Sequence, residues 1–191
     1  MERDFDKVID RRNTDCAKYD FAAEYGKPDG LLPMWVADMD FATPPVVIEA
    51  IQERLQHPVF GYSFVGENCK QAIVQWFSSR HQWTIDPQTL LFHQGVVPAI
   101  ASIMETFTAP GDKVAISSPV YHPFTNITKA QARKLVECPL QEVHGSYTFD
   151  FINLEQEFKD GVKLYILCNP HNPAGIVWSR TQLEYLVKLC I

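Results

Sequence analysis

Along residues 1–33 the apolar positions recur with no steady period, and Lys27-Pro28-Asp29-Gly30 concentrates turn formers, so this stretch is expected to be an arm rather than a core element. A helical period then sets in. Thr43 before Pro44 reads as an N-cap with proline at the first helical position, and Val46, Val47, Ala50, Ile51 and Leu55 mark one apolar face to about His57. A second helix is predicted from about Glu67 to Gln82, with Ala72, Ile73, Trp76 and Phe77 turned inward.

Beyond it, short extended runs alternate with helical ones. Residues 89–92, 113–117, 134–138 and 162–168 are predicted strands, the last almost continuously apolar, as a parallel strand covered on both faces would be. Between them, residues 95–107 carry a helical stripe of Ile100, Ile103, Met104 and Phe107. Pro110-Gly111-Asp112 is a turn, residues 123–130 are helical, and Asn153 is expected to cap a helix through Phe158. Ser179 and Gln182 spell a capping box that opens a last helix, with Leu183, Leu186, Val187 and Cys190 as its stripe. The alternation implies an α/β fold in three layers, a mainly parallel sheet with helices on both sides. In such a fold the last helix should cross over to a further strand, so the expectation is a domain truncated at Ile191. A protein that simply ends in a helix is the alternative.

Composition narrows the class. At 46% hydrophobic and 21% charged, the chain can bury an ordinary core. A net charge of −6 without any Lys/Arg run argues against nucleic acid or an anionic membrane as partner. The polar start, Met1 to Asp6, lacks an apolar stretch of signal-peptide length, and no later run approaches a membrane span, so a cytoplasmic protein is expected. Cys16, Cys69, Cys138, Cys168 and Cys190 are odd in number and scattered, with no C-x-x-C, and read as reduced thiols. Cys168 and His171 are three apart, but no second cluster stands near them in sequence, so no metal site is expected.

Candidate chemistry falls at the ends of the predicted strands. Cys168-Asn169-Pro170-His171-Asn172-Pro173-Ala174-Gly175 follows the apolar strand. In an open parallel sheet, ligands sit beyond the carboxyl ends of the strands, and each proline holds the preceding asparagine extended. The pattern also fits a rigid turn. His93-Gln94-Gly95-Val96-Val97-Pro98 leads from a predicted strand into a helix, whose free N–H groups and dipole suit a phosphate; many ordinary strand–helix turns also contain glycine. Ser118-Pro119-Val120-Tyr121-His122-Pro123-Phe124 delivers an aromatic ring at another strand end, able to stack on a flat heterocycle or to fill a core. Phe60-Gly61-Tyr62 is an aromatic turn. Trp35-Val36-Ala37-Asp38-Met39-Asp40-Phe41 sets two aspartates in an apolar run, where they need backbone N–H partners or a site to face.

Taken together, these segments resemble fold-type I pyridoxal-phosphate enzymes of the aminotransferase class I/II superfamily. The loop at Asn172 resembles N-P-x-N-P-x-G, and Trp35–Phe41 resembles the W-V-A-D-M-D-F signature of the MalY/PatB group of cystathionine β-lyases. The resemblance runs from Phe5-Asp6 through Trp178 into the last helix. It implies pyridoxal 5′-phosphate as cofactor, with Gly95, Val96 and Val97 at its phosphate, Tyr121 stacked on its ring and Asn172 bonded to the ring oxygen. Gln94 stands where the family often has proline. Tyr62 would reach the phosphate in a partner subunit, which implies a homodimer. Residues 1–45 would be an N-terminal arm and small-domain segment, and 46–191 the N-terminal part of the large cofactor-binding domain.

The implied reaction is α,β-elimination from cystathionine or another sulfur-containing amino acid, giving a thiol, pyruvate and ammonia. It needs a lysine that forms an imine with the cofactor and moves the proton, and an aspartate at the pyridinium nitrogen. In the family both lie beyond the last helix, so this chain is expected to be an inactive N-terminal half, with no catalytic residue of its own. A class I/II aminotransferase and a non-catalytic remnant of a truncated gene are the alternatives.

Overall fold

A computed structural model describes residues 5–28 and 30–191. The turn expected at Lys27–Gly30 includes Asp29, which lies outside the described residues together with residues 1–4. The chain divides into two compact units, Met1–Ala72 and Ile73–Ile191.

Apart from a 3-10 turn at Ala23–Tyr25, the first unit is irregular up to helix α1 (Pro45–Leu55), and it includes the start of α2 (Glu67–His81), which runs on into the second unit. Thr43 does not cap α1. Pro44 holds the N-cap position at ψ 135°, because the proline that follows excludes a helical conformation there, and Pro45 is the first helical residue. Neither α1 nor α2 buries a residue, and Ala72 and Trp76 of α2 are exposed rather than inward. Aromatic contacts, Phe5 with Phe41 and Tyr25 with Trp35, stitch parts of the arm together.

The second unit contains a parallel sheet in the order β2 (Lys134–Glu137), β1 (Lys113–Ile116), β5 (Val162–Ile166). Strand alternation sends the central residues to opposite faces. Val114 and Ile116 join Met104, Phe124 and Ile166 beneath helices α3 (Val96–Phe107) and α4 (Pro123–Ala130). Ala115 turns the other way, into a cluster with Leu154, Trp178 and Leu186 under α5 (Phe151–Lys159) and α6 (Arg180–Leu189). The two clusters make the three layers that the pattern implies. In α3, Ile103 and Phe107 are exposed, and Ile100 and Met104 alone of the expected stripe join the core.

Two local expectations are corrected, and a hairpin forms where no element was expected. Residues 89–92 form no strand, because the Asp86 carboxylate accepts from Gln88 N–H and winds Pro87–Thr89 into a 3-10 turn. Helix α5 is capped by Asp150, whose carboxylate accepts from the Asn153 N–H, so the helix begins before Asn153. Residues 141–148 form an antiparallel hairpin, β3 (Gln141–Val143) with β4 (Ser146–Thr148), turning on His144 and Gly145, both at positive φ. The capping box of α6 forms as expected: Ser179 and Gln182 each accept from the other's backbone N–H. Its inward stripe is the buried Leu186 with the partly buried Leu183 and Leu189, while Val187 and Cys190, also expected there, are exposed.

Candidate active site

Strands β1 and β5 are parallel neighbours, so the loops that leave them emerge side by side. The two exits are tied by a 2.7 Å hydrogen bond between Ser117 Oγ and the Tyr165 hydroxyl, whose ionisation burial pushes up to about 12. The loop after β1 carries Tyr121. Its ring stands edge-on to Phe124 at 5.7 Å, and Phe124 is buried in the core, so Tyr121 is braced while remaining 38% exposed. The loop after β5 carries Asn172, exposed, with a side-chain amide that engages nothing among the described residues.

Helix α3 brings the third element to this edge. Arg133, immediately before β2, donates to Thr108 Oγ1 (2.9 Å), to the Thr108 carbonyl (2.7 Å) and to the Met104 carbonyl (3.3 Å), which fixes the end of α3 at the amino edge of the sheet. Twelve helical residues span about 18 Å, more than a four-residue strand, so the start of α3 lies at the carboxyl edge. There Gly95, at φ +141°, makes a turn that other residues rarely adopt, with no side-chain cap. The N–H groups of Val96 and Val97 have no partner among the described residues. Gly95, Val96, Val97, Tyr121 and Asn172 therefore share one edge of the second unit. Tyr62 belongs to the first unit, where it is fully exposed.

The loop holding Asn172 is framed by its neighbours. Trp178 donates its ring N–H to the Cys168 carbonyl (2.8 Å) and its backbone N–H to Asn169 Oδ1 (3.2 Å), and it stacks on Phe149 in the core. His171 and Ile176 bridge across the loop. The His171 ring is 3% exposed, edge-on to Trp178, and neither ring nitrogen has a hydrogen-bond partner among the described residues. Burial pushes this imidazole below its ordinary pKa, against a smaller opposing pull from the Ser117 backbone.

Every lysine of the second unit stands at the opposite edge. Lys113, Lys134 and Lys163 lie at or next to the amino ends of β1, β2 and β5, and Lys129, Lys159 and Lys188 in the last turns of α4, α5 and α6. Lys113 bonds to the Asp160 carbonyl, and Lys159, Lys163 and Lys188 line one cleft with Val162.

In the first unit, Asp38 and Asp40 meet cations rather than backbone N–H groups. Arg11 spans both carboxylates, and the buried Lys18 donates to Asp40 (2.9 Å) and to the Asp38 carbonyl (3.0 Å). Lys18 and then Arg11 hold the Asp40 carboxyl down at about 2, and the Arg11 guanidinium is raised, first by Asp38. Arg11 and Lys18 were not expected as partners, because they lie 20 to 29 residues before the aspartates they hold.

The chain belongs to the aminotransferase class I and II family, which its residues 31–191 match. It is 43% identical over 188 residues, 98% of the chain, to cystathionine beta-lyase PatB of Bacillus subtilis (strain 168), and 36% identical over 190 residues to protein MalY of Escherichia coli (strain K12). It covers 49% and 48% of those two, so it spans about half the length of the curated relatives it matches. A crystal structure of a pyridoxal-phosphate-bound putative aminotransferase from Clostridium difficile 630 superimposes with a TM-score of 0.93 at 39% identity, covering 99% of this chain and 49% of that one.

Proposed function

We propose that the protein is a pyridoxal 5′-phosphate-dependent carbon–sulfur β-lyase. It converts cystathionine or a related cysteine S-conjugate, with water, into a thiol, pyruvate and ammonia. The observation that carries this reading is the 43% identity to a cystathionine β-lyase across nearly the whole chain.

The carboxyl edge of the second unit suits the cofactor's chemistry. The unpaired N–H groups of Val96 and Val97 at a helix start are donors for a phosphate, and Gly95 lets the backbone approach it. Tyr121, braced by Phe124, offers a ring face for stacking, and Asn172 offers a free amide to the ring oxygen. When bound, pyridoxal phosphate withdraws electrons from the substrate's α-carbon, which makes the α-proton removable. No lysine of the second unit stands at this edge, so we place the proton-moving lysine outside these residues and read the 191-residue chain as inactive by itself. We further assign residues 1–45 to an arm and small-domain segment and 46–191 to part of the large domain. Tyr62 serves the phosphate of a second subunit in a cytoplasmic homodimer, and its full exposure supports that assignment.

A class I/II aminotransferase is the second reading, favoured by the family match and by the name of the C. difficile protein. Full-length protein given L-cystathionine without any keto acid separates the two. Steady pyruvate release supports the lyase, and turnover that waits for a keto acid acceptor refutes it. Borohydride treatment of the 191-residue chain with cofactor is expected to trap no stoichiometric imine, and stoichiometric attachment would overturn the reading of an inactive half.

A further inference from the structure

We propose that the Cys168 thiol is a positioning group for Asn172. This rests on the reading that Asn172 contacts the cofactor. Between Pro170 and Pro173 there are only two backbone N–H groups. That of His171 goes to the Ile176 carbonyl at 2.7 Å, and that of Asn172 goes to Cys168 Sγ at 3.3 Å. The thiol in turn donates to the Pro170 carbonyl at 3.5 Å. Cys168 itself is fixed, since its carbonyl accepts the Trp178 ring N–H and its side chain packs against the cluster of Met104 and Ile166. One sulfur thus joins the end of β5 to the residue of this loop that we assign to the cofactor's ring oxygen. Sulfur is a weak acceptor and a weak donor, so the expected effect is moderate.

The test measures pyridoxal phosphate affinity of the full-length protein by absorbance titration, for Cys168→Ala, Cys168→Val and Cys168→Ser, each alone and with Asn172→Ala. Alanine and valine remove the hydrogen bonds while valine keeps the packing volume, and serine keeps a donor and an acceptor. Alanine and valine are expected to weaken affinity about fivefold to tenfold, serine less than threefold, and neither further once Asn172 is alanine. In cofactor-free protein, the same two variants should speed amide exchange at residues 171–175. If Asn172→Ala is weakened while Cys168→Val binds like the wild type, the positioning role is overturned and the cofactor reading stands. A Cys168→Ala loss that persists in full beside Asn172→Ala also overturns it. If Asn172→Ala binds like the wild type, the reading of Asn172 falls and this inference falls with it.

Discussion

The two units are held together by different physics. Ile73–Ile191 has apolar clusters on both faces of its sheet, in which Met104, Val114 and Ala115 are entirely buried. In Met1–Ala72 the buried described residues are Cys16 and Lys18, and beside two aromatic contacts the long-range ties include Arg11 and Lys18 on Asp38 and Asp40. Burial of apolar area is non-directional and tolerates small errors in geometry, whereas an ion-pair network depends on every member. The comparison teaches where each unit is vulnerable. A methylene lost from the core should damage the second unit, and a charge lost from the arm should damage the first.

The largest effect expected is Met104→Ala, which empties a site with no exposure. It should cost about 2–5 kcal/mol in denaturant unfolding. Amide exchange of residues 11–20 should be unchanged until the whole chain opens. The reciprocal variant, Asp40→Asn, leaves the buried Lys18 with only the more distant Asp38 carboxylate, at 4.0 Å, as counter-charge, so exchange of residues 11–20 should rise while the sheet amides stay protected. Equal responses of both units to either variant would erase the distinction. Ser179→Ala removes the oxygen that accepts from Gln182 N–H and should cost about 1 kcal/mol, read as a lower denaturant midpoint.

The same contrast explains what the sequence could disclose. The second unit was legible because its clusters are built from periodic residues: Val114 and Ile116 alternate with Ala115, and the helical spacing of Ile100 and Met104 survives into the packing. The hairpin at His144-Gly145 escaped because its turn lacks the usual Asn-Gly, and residues 89–92 looked extended because the Asp86 side chain, which winds the turn ending at Thr89, leaves no mark in the periodicity. At the candidate site, Gly95, Tyr121 and Asn172 stood out through local motifs. The bond from Asn172 to Cys168 and the burial of His171 did not, since both arise only when the loop folds back on the strand end. In the arm, Asp38 and Asp40 were conspicuous, but their partners are 20 to 29 residues away and no pattern links them.

Acidity should separate the two units most finely. The Asp40 carboxyl is held at about 2, below its unfolded value, so its contribution is complete above the ordinary carboxylate range and is lost as pH falls through about 2. His171 is also depressed, but a depressed imidazole works in a higher window. As pH falls below the ordinary value near 6.5, the unfolded chain takes up a proton that the buried ring refuses, so stability declines from there until the folded ring titrates in turn. Between pH 7 and about 5, then, weakening traceable to these two groups belongs to the second unit, and further acidification reaches the arm. His171→Phe keeps an aromatic ring against Trp178 and removes the titration. Its unfolding free energy should lose the part of the slope below pH 6.5 that the wild type shows, while the loss of arm protection near pH 2 stays where it was. An unchanged slope would mean that the buried ring titrates alike in the folded and unfolded chain, and the loop around Asn172 would then be wetter than its packing on Trp178 implies.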